Sequence, residues 1–299
     1  MRFVILGDLH YSFYPDPAIS QGRELFYDNL LAEIADLQPD VAFSIGDAVN
    51  EGRVQEFEGL LNLVKKRGLR DRFVIVTGNH DVRKNPRKSL HSILQPPARF
   101  WPNYEVPDRG YYAFDYAAAR FAVLDTTKEL LSETDWGGVI DPAQLDWLRS
   151  EVSDFNQRSQ PQILIVLAHH PLQNTTTKSA KEMMNISNSD EVWEVLASLK
   201  RGRGLYFNGH NHVNSLAVRD HWYFVQAGAP YRCGDYRVCD IRPNDTGGLK
   251  IEIFTHDIAN GSESTFALAN QLGDALEHFG RQEQPKGTPV DRHLVFESP

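Results

Sequence analysis

The sequence predicts a mixed α/β fold, because strand-like and helix-like segments alternate in its first half and strand-like segments follow one another later. Short apolar runs, each ending in Gly, Asp, Asn or His, lie within 2–8, 41–47, 72–81, 163–170 and 205–212. Continuous apolar runs of this length are typical of strands buried on both faces. Helix-like segments lie at about 21–37, 54–68, 141–155 and 190–200. This alternation is typical of α/β organisation.

The second half of the chain adds hairpin-like segments. Residues 110–127 contain two strand-like runs around a short turn, and three further runs within 221–256 predict a meander. We therefore expect parallel strands early in the chain and antiparallel strands late. Two long polar loops, 82–109 and 173–190, interrupt the elements. Loops of this length are often lids or binding loops, and a plain surface excursion explains them equally well.

The chain divides into a predicted main domain, residues 1–258, and an appended helix with a polar tail, residues 259–299. The helix is predicted over 262–280, where apolar residues recur at helical spacing. These residues are Phe266, Leu268, Leu272, Leu276 and Phe279. We expect the helix to pack on the body of the protein or on a partner subunit, as in a homodimer.

The composition excludes several classes of protein. The 299 residues carry a net charge of -9, which argues against broad nucleic-acid binding, since that requires a basic surface. The two cysteines, Cys233 and Cys239, are too few for a disulfide framework and favour a reducing cytosol. No apolar run approaches the roughly 20 residues that span a bilayer, and the N-terminal run is too short for a signal peptide. We therefore expect a cytoplasmic protein without a membrane or stable nucleic-acid partner.

Metal-ligand side chains follow each of the five early apolar runs. They are Asp8 and His10, then Asp47, then Asn79 and His80, then His169 and His170, and finally His210 and His212. Sites of open α/β sheets lie beyond the carboxyl ends of the strands, so we expect these residues to meet at one edge. We also expect His210 and His212 to point the same way, because side chains alternate along an extended chain. We assign no role to Asn211 between them.

Carboxylate, imidazole and amide groups suit divalent ions such as Mn, Fe, Co or Zn, and the lack of thiolates disfavours a structural zinc site. The ligands suffice for two ions with one carboxylate bridging them. Two ions about 3.5–4 Å apart can hold a nucleophilic hydroxide and neutralise charge on a phosphoryl group. Such a ligand set is therefore compatible with a two-metal centre that acts on a phosphoryl group.

Five short blocks, "GDLH", "GDAVNEG", "GNHD", "AHHP" and "GHNH", resemble in order and spacing those of the calcineurin-like metallophosphoesterase superfamily. The resemblance spans roughly residues 3 to 213. It implies a four-layer α/β/β/α sandwich of two mixed sheets flanked by helices. It also implies two divalent metal ions at the C-terminal ends of the strands.

The resemblance also implies a role for each residue of the blocks. One metal would be held by Asp8, His10, Asp47 and His212, and the second by Asp47, Asn79, His169 and His210. Asp47 would bridge, and His80 would be a catalytic residue that stabilises charge or protonates the leaving oxygen without binding metal. The block pattern selects His169 as the ligand and leaves His170 supporting the site or facing substrate. Asn79, His80, His170 and Arg83 are the candidate substrate contacts.

The second block decides between branches of the superfamily. Protein phosphatases usually have an Asp at the position of Asn50, which would orient the catalytic histidine; an amide accepts a hydrogen bond but lacks the charge. Asn50 followed by "EGR", together with "HHP", is similar to the class III cyclic-nucleotide phosphodiesterase and glycerophosphodiesterase branch. The expected reaction is hydroxide attack on a small organic phosphodiester. Phosphomonoesterase or nucleotidase activity and DNA cleavage are alternatives, and a non-catalytic scaffold is the least favoured.

Overall fold

The computed structural model describes residues 1–14, 16–100, 110–128, 135–160, 162–258, 271 and 284–298. Within these ranges the chain forms two six-stranded sheets flanked by helices. The helices are α1 (Pro17–Asp36), α2 (Val54–Lys66), α3 (Arg87–Leu94), α4 (Pro142–Gln157), α5 (Ser189–Ala197) and the short α6 (Pro230–Cys233). The four long helix-like segments of the sequence thus correspond to α1, α2, α4 and α5.

The first sheet contains β1 (Arg2–Leu6), β2 (Val41–Ile45), β3 (Phe73–Val76), β10 (Asp235–Pro243), β11 (Leu249–Asp257) and β12 (His293–Ser298). The second contains β4 (Tyr112–Tyr116), β5 (Ala119–Val123), β6 (Ile163–Leu167), β7 (Arg203–Asn208), β8 (Ser215–Arg219) and β9 (Trp222–Gln226). Their strand orders are β12-β11-β10-β1-β2-β3 and β4-β5-β6-β7-β9-β8. Both sheets mix parallel and antiparallel pairs.

The alternation of side chains along β1 shows how the layers stack. Val4 and Leu6 pack with the cluster that contains α1 and α2, whereas Phe3 and Ile5 pack between the two sheets. A third cluster covers the outer face of the second sheet with α4 and α5. Because β1, β2, β3, β6 and β7 are buried on both faces, their sequences are nearly continuous apolar runs. The expected four-layer α/β/β/α sandwich is confirmed.

Local signals explain where the first helix begins. The side chain of Asp16 accepts a hydrogen bond from the backbone N–H of Ala18 at 2.8 Å, and Pro17 occupies the first turn. A capping carboxylate and a proline, which needs no N–H partner at this position, favour helix initiation. The helix therefore starts at Pro17, a few residues before the segment predicted from apolar spacing.

Two expectations for the second half need correction. The predicted meander is split: β9 pairs in parallel with β7 in the second sheet, whereas β10 and β11 form a hairpin in the first. The end of the predicted polar tail is a strand, β12, paired with β11 at the sheet edge. The predicted hairpin within 110–127 is confirmed as β4 and β5.

The predicted appended helix, 262–280, lies outside the described ranges except for Gln271. Among the described residues, each helix is too short or too polar to span a lipid bilayer.

Candidate metal centre

The ends of strands from both sheets meet at the predicted ligands. Asp8, Asp47 and Asn79 follow β1, β2 and β3 of the first sheet, and the imidazoles of His169 and His210 follow β6 and β7 of the second. The sequence predicted that these residues meet at one sheet edge. The site lies instead where the ends of two sheets meet. Within each of four overlapping groups of histidine and aspartate side chains at this position, the possible ligand atoms lie within 4.8 Å of one another.

One side of the site, which we call the first half-site, consists of Asp8, His10 and His212. The Nε2 atoms of His10 and His212 are 3.1 Å apart, and His212 Nε2 lies 3.5 Å from Asp8 Oδ1. Asp8 is fully buried, and His10 is nearly so. Two imidazoles and a carboxylate therefore converge on one position.

The other side, the second half-site, consists of Asn79, His169 and His210. Nε2 of His169 lies 3.1 Å from Asn79 Oδ1 and 3.2 Å from His210 Nδ1. Asp47 connects the two half-sites, because its Oδ2 is 3.2 Å from His169 Nε2 and 3.7 Å from His10 Nε2. This is the position expected of a bridging carboxylate.

The donor atoms fit divalent metal ions. Metal–nitrogen and metal–oxygen bonds of about 2.0–2.2 Å place two ligand atoms of one ion roughly 3.0–3.5 Å apart. The separations within the half-sites range from 3.1 to 3.5 Å. Imidazole, carboxylate and amide oxygen together also form a donor set that first-row divalent ions accept. The residues present could therefore hold two metal ions.

The backbone at four ligands adopts a left-handed conformation. φ is 47° at His10, 50° at Asp47, 70° at His210 and 54° at His212. Non-glycine residues rarely adopt this conformation, and at functional sites it persists because the surroundings enforce it. The expectation that His210 and His212 share one side by strand alternation is therefore wrong, since β7 ends at Asn208. A tight turn brings both imidazoles to the site instead.

Glycines allow the ligand loops to approach one another. A Cβ added at Gly209, the residue before His210, would lie 2.8 Å from Asp8 Oδ2. Gly46 has φ of +94°, and its added Cβ would overlap the imidazole of His169. Any side chain at either position would displace a ligand.

Burial and charge set the protonation of the ligands. Burial alone would raise the pKa of Asp8 and of Asp47, but the adjacent imidazoles outweigh it and hold both pKa values below the usual range. Burial lowers the pKa of His10 to about 3 and that of His210 to about 4. Burial also acts against charge on His169, but Asp47 outweighs it and raises that pKa to about 9. Carboxylates and neutral imidazoles are the forms that bind metals, so His169 would release its proton when an ion binds.

His80 lies beside the ligands and is oriented by the main chain. Its ring is 4.6 Å from that of His10 between centroids, and its Nδ1 lies 2.7 Å from the carbonyl oxygen of Asn50. The amide oxygen of Asn50 instead lies 3.2 Å from Nδ1 of His10. The expectation that the Asn50 side chain replaces an orienting Asp is therefore wrong. The Nδ1–H of His80 therefore donates to this carbonyl, and Nε2 is the nitrogen left to act on a substrate.

His170 supports the site from behind. It is fully buried, with Nδ1 2.6 Å from Thr126 Oγ1 and Nε2 2.9 Å from the carbonyl oxygen of Trp136. Its ring centroid lies 4.1 Å from that of His210. Because both nitrogens are engaged and the ring is buried, this geometry favours the supporting role over the expected substrate contact.

The remaining substrate candidate, Arg83, lies at the surface near the second block. Its guanidinium is 3.3 Å from Glu51 Oε1, and its side chain is 39% exposed. An exposed arginine in an ion pair can exchange that carboxylate for a phosphate. Its contact with substrate stays a prediction.

Two residues near the ligands were not singled out from the sequence. Asp81 is fully buried and accepts hydrogen bonds from the backbone N–H of Val49 at 3.0 Å and of Gly78 at 2.9 Å. It therefore ties together the loops that follow β2 and β3. Asn211, to which the sequence assigned no role, is buried and donates to the carbonyl oxygen of Thr177 at 3.1 Å. The position of Asp81 within the block "GNHD" could have indicated that it lies near the site. No feature of the sequence indicated the role of Asn211.

A four-layer α/β/β/α sandwich with His, Asp and Asn ligands where its sheets meet defines a metal-dependent phosphoester hydrolase. The family model of the calcineurin-like phosphoesterases matches residues 1–214. The chain therefore belongs to the calcineurin-like phosphoesterase family, as the five blocks predicted.

Solved structures share this fold at low sequence identity. A dimetal phosphatase from Danio rerio matches with a TM-score of 0.68 and 13% identity, over 86% of this chain and 96% of that one. A purple acid phosphatase from yellow lupin (Lupinus luteus) seeds matches with a TM-score of 0.54 and 14% identity, over 87% of this chain and 52% of that one. The present chain thus spans about half of the lupin enzyme. No curated protein sequence matches the chain.

Proposed function

We propose that the protein is a dinuclear metal-dependent phosphodiesterase that hydrolyses small organic phosphodiesters of the cyclic-nucleotide or glycerophosphodiester type. The position of Asp47 carries this proposal: one carboxylate oxygen lies 3.7 Å from His10 Nε2 and 3.2 Å from His169 Nε2. A carboxylate shared between two sets of ligands is the arrangement that a two-metal hydrolase requires. Mn, Fe, Zn or Co suit these ligands.

The bound ions would lower the pKa of water and neutralise charge on the phosphoryl oxygens. The chain itself supplies the ligands, the orientation of the substrate and a proton. His80 is the candidate proton donor: its Nδ1–H donates to the Asn50 carbonyl, and in the imidazolium form its Nε2 would carry the proton for the leaving oxygen. Arg83 would hold a non-bridging phosphate oxygen in exchange for Glu51.

The preference for diesters rests on the second and fourth blocks. Asn50 and the three residues after it, with His170 in the fourth block, are similar to the corresponding blocks of diesterases in this superfamily. The net charge of -9 disfavours a stable nucleic-acid partner.

A substrate panel with Mn²⁺ tests the proposal. Bis(p-nitrophenyl) phosphate, cyclic nucleotides and glycerophosphodiesters are compared with nucleotide monoesters and single-stranded DNA, and Asp47→Asn serves as the control for contaminating activity. We expect the highest kcat/KM among the small diesters. Faster hydrolysis of monoesters would favour the phosphomonoesterase alternative, and no turnover of any ester would favour the scaffold.

We also propose a cytoplasmic location, which the two buried, free thiols of Cys233 and Cys239 support, because reducing compartments preserve thiols. Fractionation of the source cells tests this location, and recovery outside the cytoplasm would contradict it.

A further inference from the structure

The loop between β6 and α5 has a defined shape. Residues 172–187, which we call the strap, include Asn185, whose side-chain amide donates to the carbonyl oxygens of Ser179 and Lys181 at 2.8 Å each. Ser179 Oγ donates to the Thr176 carbonyl at 2.7 Å. Ser179 is fully buried, and Thr176 and Asn185 are nearly so. These internal bonds fix the strap and distinguish it from a plain surface excursion.

The strap binds the last ligand block through backbone carbonyls. The Met183 carbonyl oxygen lies 2.9 Å from His210 Nε2. The carbonyls of Thr177 and Met184 accept from the Asn211 amide at 3.1 and 3.3 Å. Two consecutive side chains of "GHNH" are therefore held from the same loop.

The Met183 carbonyl determines which nitrogen of His210 faces the site. A carbonyl only accepts, so Nε2 of His210 carries the proton and Nδ1 keeps the lone pair. Nδ1 is the atom that lies 3.2 Å from His169 Nε2 within the second half-site. A carbonyl behind a ligating imidazole also increases its basicity. Met183 has φ of 62°, a conformation that persists only where surrounding bonds enforce it.

We propose that the strap sets the metal affinity of the second half-site, and that Asn185 is the positioning residue that holds the Met183 carbonyl against His210. The second half-site depends on such support because its own unshared ligands, Asn79, His169 and His210, carry no carboxylate. The inference rests on the proposed two-metal function and adds to it the element that controls one of the two ions.

The test compares Asn185→Ala with Asn156→Ala in the full chain. Asn156, in the last turn of α4, is a matched control, because its side chain also joins two backbone groups, Ser198 O at 2.9 Å and Lys200 N at 2.8 Å. Mn²⁺ binding to each apoprotein is measured by calorimetry, with thermal unfolding of the apoproteins measured in parallel. Turnover of bis(p-nitrophenyl) phosphate is followed as Mn²⁺ is increased.

We expect Asn185→Ala to lower the binding affinity for one of the two ions about 10- to 100-fold, as loss of a group that orients a ligand typically does. The other ion should bind within about twofold of wild type, and excess Mn²⁺ should restore turnover. Asn156→Ala should bind both ions normally. Unchanged binding of both ions by Asn185→Ala, or equal weakening of both, would overturn the role of the strap. Failure of wild type to bind two ions would instead overturn the proposed function, and the inference with it.

Discussion

The two half-sites each present two imidazoles, but they differ in their third ligand and in what lies behind the rings. The first has the carboxylate of Asp8, and the second has the amide of Asn79. Behind the imidazoles of the first lie side chains: Asn50 Oδ1 is 3.2 Å from His10 Nδ1, and Tyr231 OH is 3.5 Å from His212 Nδ1. Behind those of the second lie main-chain carbonyls, Ile45 O at 3.0 Å and Met183 O at 2.9 Å.

This difference indicates two ways to bind a metal ion. The first half-site relies on charge, because a carboxylate attracts a divalent cation more strongly than a neutral amide does. The second relies on orientation, because main-chain carbonyls of strand β2 and of the strap hold its imidazoles in place. We therefore expect the ion of the first half-site to bind more tightly and that of the second to be lost first.

The largest effect is expected where the half-sites meet. Asp47→Asn removes the charge that both half-sites share, so the affinity for both ions should fall. Turnover should fall by about 1,000-fold, which corresponds to several kcal/mol of lost charge stabilisation. These two losses are measured by the metal content of the variant and by its turnover of bis(p-nitrophenyl) phosphate. Near-normal activity would refute the bridging role of Asp47.

A smaller loss of activity, without loss of metal, is expected at His80. His80→Ala removes the candidate proton donor, which should lower kcat about 100-fold while two ions remain bound. Elemental analysis of the dialysed variant provides the second measurement. If the variant lost one ion, His80 would be a ligand, and the division into two half-sites would need to be redrawn.

The third ligand of each half-site can be substituted so that its charge is removed from the first or added to the second. Asp8→Asn should lower the affinity of the first half-site for its ion, and Asn79→Asp should raise that of the second. Each change should be on the order of tenfold to a hundredfold, since ligand charge is a main determinant of cation affinity. Mn²⁺ calorimetry on this matched pair measures both shifts. Affinities that do not respond to either substitution would show that charge does not distinguish the half-sites.

The smallest effect is expected at the support of the first half-site. Asn50→Ala removes the amide behind His10 but leaves the backbone carbonyl that orients His80. We expect no more than about a tenfold loss of affinity for the first ion and an unchanged pH dependence of kcat. A larger loss than in the strap variant would reverse the proposed contrast between charge and orientation.

The sequence was sufficient for the fold class and for most of the side chains that cluster at the candidate metal centre, because both depend on side-chain type at strand ends. Asp8, Asp47 and His169 follow apolar runs that predict strands, and the structure places them together. The supports of the second half-site could not be predicted, since Ile45 and Met183 act through carbonyl oxygens that every residue possesses. The left-handed turn at His210 and the placement of β9 in the second sheet depend on tertiary contacts that local patterns do not encode.

The most direct test of the account is a titration of the apoprotein with Mn²⁺, in which bound metal and turnover of bis(p-nitrophenyl) phosphate are measured on the same samples. We predict two ions per chain, bound in two separable steps, with turnover appearing as the second ion binds. A single ion at saturation, or turnover that survives exhaustive treatment with EDTA, would contradict a metal centre of two unequal half-sites joined by Asp47.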